Sequence, residues 1–335
     1  MTLFGFLLAS AYIPGVTGTA VHTGWLFLSA TLPWILRDRL LYLLRMPFLW
    51  FAILGLAWTP IFAQGIYDLW RLCCLAAGFA LGATRTNTSG LLKGLAVGVG
   101  FTTLIWAYVN PNILGEIAAL VTVGLVAYEL WWWLPLTLPG LALSNSRSAL
   151  LAVAVVGALA CYRRWGILGV LIVGFLASEG AIIATFHGNK ADHGYSGNIW
   201  GRVAIWENTI DGFTWLGRGP GSFIITYPVF ASRTDTATSR EEDAHNDYLQ
   251  LIYQYGLGTI LLFPILFWGL LGPLVPERYV FIAFSVICAF NFPLALPATG
   301  FLGAFVLGRL WDGRIVFDAS MFSCNRPNGG WADVS

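Results

Sequence analysis

Glu241-Glu242-Asp243-Ala244-His245-Asn246-Asp247-Tyr248-Leu249-Gln250 runs without a break into Leu251-Ile252-Tyr253-Gln254-Tyr255-Gly256 and on through an apolar stretch to about residue 272. A bilayer crossing needs roughly 20 predominantly apolar residues, so a membrane helix starts where this acidic, histidine-bearing segment ends. Upstream, the segment closes a hydrophilic stretch from about 187 to 249, set in a chain that is otherwise almost continuously apolar. Overall the chain is 57% hydrophobic and 10% charged, with a mean hydropathy of +0.72. A soluble domain carries roughly 25% charged residues; water is therefore not the main solvent of this one. The expected fold is all-α: a single polytopic membrane domain over 1–335, with one long polar loop.

Apolar runs place crossings near 2–14, 21–36, 46–62, 67–83, 91–109, 112–128, 130–145, 147–162, 166–186, 250–272, 278–292 and 296–311, about twelve in all. The 130–162 region also suits a broken or re-entrant pair. The opening Thr2-Leu3-Phe4-Gly5-Phe6-Leu7-Leu8 lacks a basic n-region, so it reads as a short first span or an uncleaved anchor. Lys and Arg in short connections mark the cytoplasmic side. Arg37, Arg39, Arg45, Arg85, Lys93, Arg163, Arg164, Arg278, Arg309, Arg314 and Arg326 all fall on one side if the span count is even. Both termini are then cytoplasmic and the 187–249 loop lies outside.

A net charge of +1 gives no support for nucleic-acid binding. Cys73, Cys74, Cys161 and Cys288 lie in apolar segments and Cys324 in the tail, so none builds a disulfide framework in the loop. Arg147 breaks the charge pattern, because it stands outside, between two apolar segments. An arginine at membrane depth costs on the order of 3 kcal/mol on insertion scales. It either snorkels to the outer interface or binds an anion facing the long loop.

Three pieces of the loop carry chemistry. From Arg202 to Ile210 the apolar residues Val203, Ile205, Trp206 and Ile210 give an amphipathic helix, suited to a membrane surface, with Arg202 near its electropositive end. Leu216-Gly217-Arg218-Gly219-Pro220-Gly221-Ser222-Phe223 makes tight turns that let a ligand approach the backbone. It is neither a P-loop nor a dinucleotide fingerprint. In the third piece Asp243 is the expected N-cap, placing His245 in a first helical turn where the dipole disfavours imidazolium. A neutral imidazole is what a general base requires. Asp243, His245 and Asp247 also offer cation ligands, although their spacing fits no EF-hand or zinc pattern, and neither a metal nor a cofactor is expected.

In order and spacing these elements resemble the O-antigen ligase and polysaccharide polymerase superfamily of bacterial membrane glycosyltransferases. The resemblance runs over roughly 45–312 through Ser146-Arg147, Gly201-Arg202 followed by Trp206, the Leu216–Phe223 run, His245-Asn246-Asp247-Tyr248-Leu249-Gln250 and Tyr255-Gly256-Leu257-Gly258. Phe290-Asn291-Phe292-Pro293-Leu294-Ala295-Leu296-Pro297-Ala298-Thr299 looks like the family's penultimate connection. The resemblance implies a GT-C-like membrane architecture in the bacterial inner membrane, with the active loop periplasmic. It also implies an undecaprenyl-diphosphate-linked glycan as donor, and lipid A–core or another lipid-linked glycan as acceptor. Arg147 and Arg202 would hold the diphosphate and His245 would act on the acceptor hydroxyl. Arg218, Gly219, Gly221, Asn246 and Tyr248 would line the substrate site; Arg218 stands where the family usually carries an apolar residue. Ligase, polymerase and protein-glycosylating enzyme share this chemistry. A polytopic transporter or flippase of an anionic solute suits twelve spans too, but the basic residues gather on an outer loop, not at the midplane.

Overall fold

The computed structural model describes residues 1–10, 17–37, 44, 46–84, 87–105, 110–171, 199–231 and 241–311. Helices form along the apolar runs, and no strand occurs among the described residues. In chain order they are α1 (Thr2–Ser10), α2 (Thr17–Leu36), α3 (Pro47–Gly55), α4 (Phe62–Ala83), α5 (Thr88–Leu104), α6 (Pro111–Ala127) and α7 (Leu138–Ser144). Then follow α8 (Arg147–Trp165), α9 (Ile199–Asp211), α10 (Phe223–Phe230), α11 (Asp247–Tyr255), α12 (Phe263–Leu271), α13 (Pro276–Phe290) and α14 (Pro297–Trp311).

Three stretches are long and apolar enough to cross a membrane among the described residues: Phe62–Ala83, Arg147–Trp165 and Asp247–Leu271. They coincide with three of the expected crossings, while α6 is apolar but shorter, at 17 residues. The crossing expected near 166–186 lies mostly outside the described residues. Two expected helices are interrupted. Between 130 and 145 a 3₁₀ turn at Trp131–Leu136 precedes α7, because Pro135 and Pro139 each remove a ladder donor. Asn145, in the left-handed conformation at φ 48°, then ends α7 and lets α8 begin at Arg147. The 250–272 run breaks at Gly256, φ 50°, where α11 gives way to a 3₁₀ turn and then to α12.

Small residues bring helices together, as expected where lipid supplies no hydrophobic drive between them. A Cβ on Gly82 of α4 would stand 1.9 Å from the Phe305 carbonyl of α14, and one on Gly308 would stand 2.0 Å from the Phe79 carbonyl. α1 meets α5 in the same way, through Gly94 against the Thr2 carbonyl. Forcing bulk into such a site typically costs about 1–3 kcal/mol. Gly82→Val is therefore expected to lower the thermal unfolding midpoint of the detergent-solubilised protein by several degrees, and an unchanged midpoint would show that the crossing is looser than described.

α13 lies against both α6 and α8, and this trio carries the site at one end of the bundle. α8 holds Arg147 at its first residue and Arg163 and Arg164 in its last turn, roughly 24 Å apart at 1.5 Å per residue. At the far end of α13 from Phe290, Glu277 pairs with Arg309 of α14 at 3.4 Å. Arg147 thus lies at the opposite end of this helix group from Arg163, Arg164 and Arg309.

Candidate functional site

The site is built around the start of α11. Asn246, not Asp243, is the N-cap: its side chain accepts from the Leu249 N–H at 3.1 Å. Asp243 is instead occupied by Gln250, whose Nε2 donates to it at 3.0 Å while its Oε1 accepts from the Ala244 N–H at 2.9 Å. The expected placement of His245 in the first helical turn is corrected accordingly. His245 precedes the cap, with its backbone in the left-handed region at φ 50°, and direct contacts rather than the helix dipole set its environment.

Those contacts are specific. Nδ1 lies 3.4 Å from Asn291 Oδ1, Nε2 lies 3.4 Å from Glu241 Oε2, and the ring stands edge-on to Phe292 with centroids 5.2 Å apart. Asn291 Nδ2 in turn donates to Glu116 Oε1. Asn291 and Glu116 are both buried, and Glu116 Oε2 finds no hydrogen-bond donor among the described residues. Neither residue was singled out from sequence. Glu116 carried a usable signal, an ionisable group inside an apolar helix; Asn291 sat unremarked in the quoted Phe290–Thr299 segment.

Arg202 reaches the same wall from α9. Its NH1 donates to the Phe290 carbonyl, one residue before Asn291. The expected helix from Arg202 to Ile210 is present within α9, packed on protein: Ile205 is buried with Phe223, Tyr227, Ala244 and Tyr253. Trp206 ties α9 to the His245 loop, donating from Nε1 to the Ala244 carbonyl at 3.1 Å with its ring 6.3 Å from that of Phe290. Burial draws the Arg202 guanidinium below its ordinary pKa. The charge of Glu116 raises it again, that of Arg147 lowers it and that of Glu241 raises it. Arg147, exposed at the start of α8, is therefore close enough for the two like charges to oppose one another. Two guanidinium groups whose charges act on one another are the kind of pair that can hold an anion by charge-assisted hydrogen bonds.

The other expected substrate residues are engaged within the protein. Arg218 donates from Nε to the Gly212 carbonyl at 2.6 Å and lies over the rings of Phe230 and Tyr253 at 4.5 and 5.5 Å. Backbone bonds from Arg218 N to Tyr253 O (3.1 Å) and from Gly219 N to Gln254 O (2.9 Å) clip the glycine run to the C-terminal end of α11. That is roughly 12 Å along the helix from His245. The run's φ values of +72°, +91° and +66° at Gly217, Gly219 and Gly221 require glycine, and a Cβ on Gly221 would meet the Gln64 carbonyl at 2.5 Å. Tyr248 donates to the Ser285 carbonyl at 3.1 Å, and Asp247 accepts from the Leu294 N–H at 2.9 Å. With Asp243 and Asp247 so directed, no three His, Cys, Asp or Glu side chains cluster to hold a metal among the described residues. Cys73, Cys74, Cys161 and Cys288 are unbridged; Cys324 lies outside the described residues.

Beside the site, between α3–α4 and α11–α14, is a cavity of about 200 Å³. Phe48, Leu72, Phe79, Phe281 and Phe284 make much of its wall, with Asp247 and Tyr248 linking it to the start of α11.

Among the described residues the protein is an all-helical bundle with three helices long and apolar enough to cross a membrane, and Arg202, the buried Glu116 and His245 converge on Phe290 and Asn291. Residues 132–264 match the family described as O-antigen ligase, and this match supports the chain's likeness to the O-antigen ligase-like superfamily. The match takes in Arg147, Arg202, the glycine run and His245; Glu116 and Asn291 lie outside it. No curated protein matches the chain.

Proposed function

We propose that this protein moves a glycan from an undecaprenyl-diphosphate donor to a sugar hydroxyl at the periplasmic face of the bacterial inner membrane, with lipid A–core as acceptor. The observation that carries this is that Arg202 and His245 hold adjacent residues, Phe290 and Asn291, while Arg147 stands within electrostatic range of Arg202. His245 takes the proton of the acceptor hydroxyl, the oxygen forms the new bond to the anomeric carbon, and the bond to the diphosphate breaks. The departing electron pair goes to the diphosphate oxygen, where Arg147 and Arg202 stabilise it as fixed, bidentate donors. The apolar cavity beside α11 suits the donor's polyprenyl chain. Arg218, Asn246, Tyr248, Gly219 and Gly221 contribute indirectly, by setting the backbone against which the substrates lie.

The deciding experiment expresses the chain in bacteria that lack either the O-antigen ligase or the O-antigen polymerase and examines their lipopolysaccharide on a gel. Long chains restored in the ligase-deficient background support the proposal. Restoration only in the polymerase-deficient background makes the acceptor another lipid-linked glycan, and restoration in neither overturns both. Because the leaving diphosphate is held by guanidinium groups, in vitro transfer is expected to survive a chelating agent, and strong inhibition would point instead to a cation in the acidic loop.

A further inference from the structure

A general base must leave one imidazole nitrogen bare, and which one is decided by what the other nitrogen donates to. His245 Nδ1 faces Asn291 Oδ1, a carbonyl oxygen that can only accept. That side of the amide faces the imidazole because the Asn291 NH₂ is committed to Glu116 Oε1. Glu116 is anchored in α6 and wholly buried, and its Oε1 accepts from the amide whether or not Oε2 carries a proton. We propose that Glu116 and Asn291 are positioning residues that hold His245 in its Nδ1–H tautomer, leaving Nε2 as the nitrogen that accepts the substrate's proton. This rests on the reading of His245 as the base.

Glu241 completes the arrangement. Glu241 Oε2 lies as close to Nε2 as Asn291 Oδ1 lies to Nδ1, so the single ring proton has two acceptors; the relay assigns it to Nδ1, leaving Nε2 and the carboxylate as neighbouring acceptors at which the hydroxyl proton arrives. Once Nε2 has gained the proton, the same carboxylate, 3.4 Å away, stabilises the imidazolium. Of the charged groups, Glu241 faces His245 directly and Glu116 reaches it through Asn291, Asp243 and Asp247 lie on its own segment, and Arg202 of α9 bonds the residue before Asn291. The chain from carboxyl through amide to imidazole follows the logic of a catalytic triad, in which presenting the wrong tautomer costs about 10⁴-fold in kcat.

The test replaces the donor and acceptor roles without changing size. Glu116→Gln gives Asn291 a partner that can donate as well as accept, so the amide turns and Nδ1 loses its acceptor; Asn291→Ala removes the acceptor outright. In full-length protein carrying ¹⁵N-labelled histidine, the His245 resonance, identified by its loss in His245→Gln, is expected to report Nδ1–H in the wild type. Both variants should move it towards Nε2–H. Transfer kcat should fall at least about tenfold in each, the lower bound for losing a group that orients a ligand side chain, with the donor KM unchanged. The double variant Glu116→Gln/Asn291→Asp restores an all-acceptor group at 291. Its carboxylate takes one hydrogen bond from the new amide at position 116 and one from Nδ1, and the variant should recover both tautomer and rate. A wild-type tautomer or a wild-type kcat in either single variant, or no recovery in the double, overturns the relay. Activity retained in His245→Gln overturns the underlying base assignment instead.

Discussion

Arg202→Ala is expected to lower glycan transfer by about 10²–10³-fold, the usual cost of removing one fixed donor to a developing anion, while the protein still inserts and elutes from a sizing column as the wild type does. The size follows from where the guanidinium sits. Its NH1 is already positioned by the Phe290 carbonyl, so no rotamer need be ordered when the diphosphate arrives. Burial raises the strength of any contact it makes, since water screens it less. Arg147→Ala should lose a similar factor for a different reason. Arg147 is exposed at the start of α8, and in the proposed reaction it shares the leaving charge, an anion offsetting the repulsion it otherwise exerts on Arg202. Lysine does not substitute well at Arg202, because an ammonium cannot donate to Phe290 and to two phosphate oxygens in one plane. Full transfer by both alanine variants would remove the diphosphate seat.

The membrane character was legible because solvent imposes it on composition: a chain with 10% charge must bury its surface in lipid or in itself. Helix positions at α4, α8 and the 247–271 stretch followed from apolar length alone. What the sequence obscured was fine structure governed by single residues. Whether Asp243 or Asn246 caps α11 depends on which side chain reaches the free N–H groups, and Gln250 captures Asp243 first. Pro135 and Pro139 break the crossing that hydropathy places at 130–145, and a left-handed Asn145 ends it. In the site, Arg147, Arg202 and His245 were visible as motif residues on polar segments, whereas Glu116 and Asn291 lie 175 positions apart and meet only through the packing of α13 on α6. Arg218 was visible too, but its cation–π contacts on Phe230 and Tyr253 arise from chain folding that spacing does not encode.

His245→Ala is expected to lower the transfer rate by about 10²–10⁴-fold, the range attributable to a positioned general base, with the donor KM close to wild type. The kinetic split separates it from the arginine variants. In the proposed reaction Arg147 and Arg202 touch the diphosphate in the ground state as well as in the transition state, so their loss should weaken donor binding and slow the reaction together. The imidazole meets the acceptor hydroxyl, and its loss leaves the diphosphate seat intact: the Phe290 carbonyl still holds Arg202, and Glu116 and Glu241 still set its charge environment. Removing the ring also leaves Glu241 and Asn291 facing an empty space that water can fill, so a small residual rate through a water-relayed proton is consistent with the assignment. Steady-state transfer measured against donor and acceptor concentrations in turn decides the matter. An unchanged kcat with a raised donor KM would make His245 another donor contact, and the base would then have to be sought elsewhere on the rim formed by Glu241, Asn291 and Arg202.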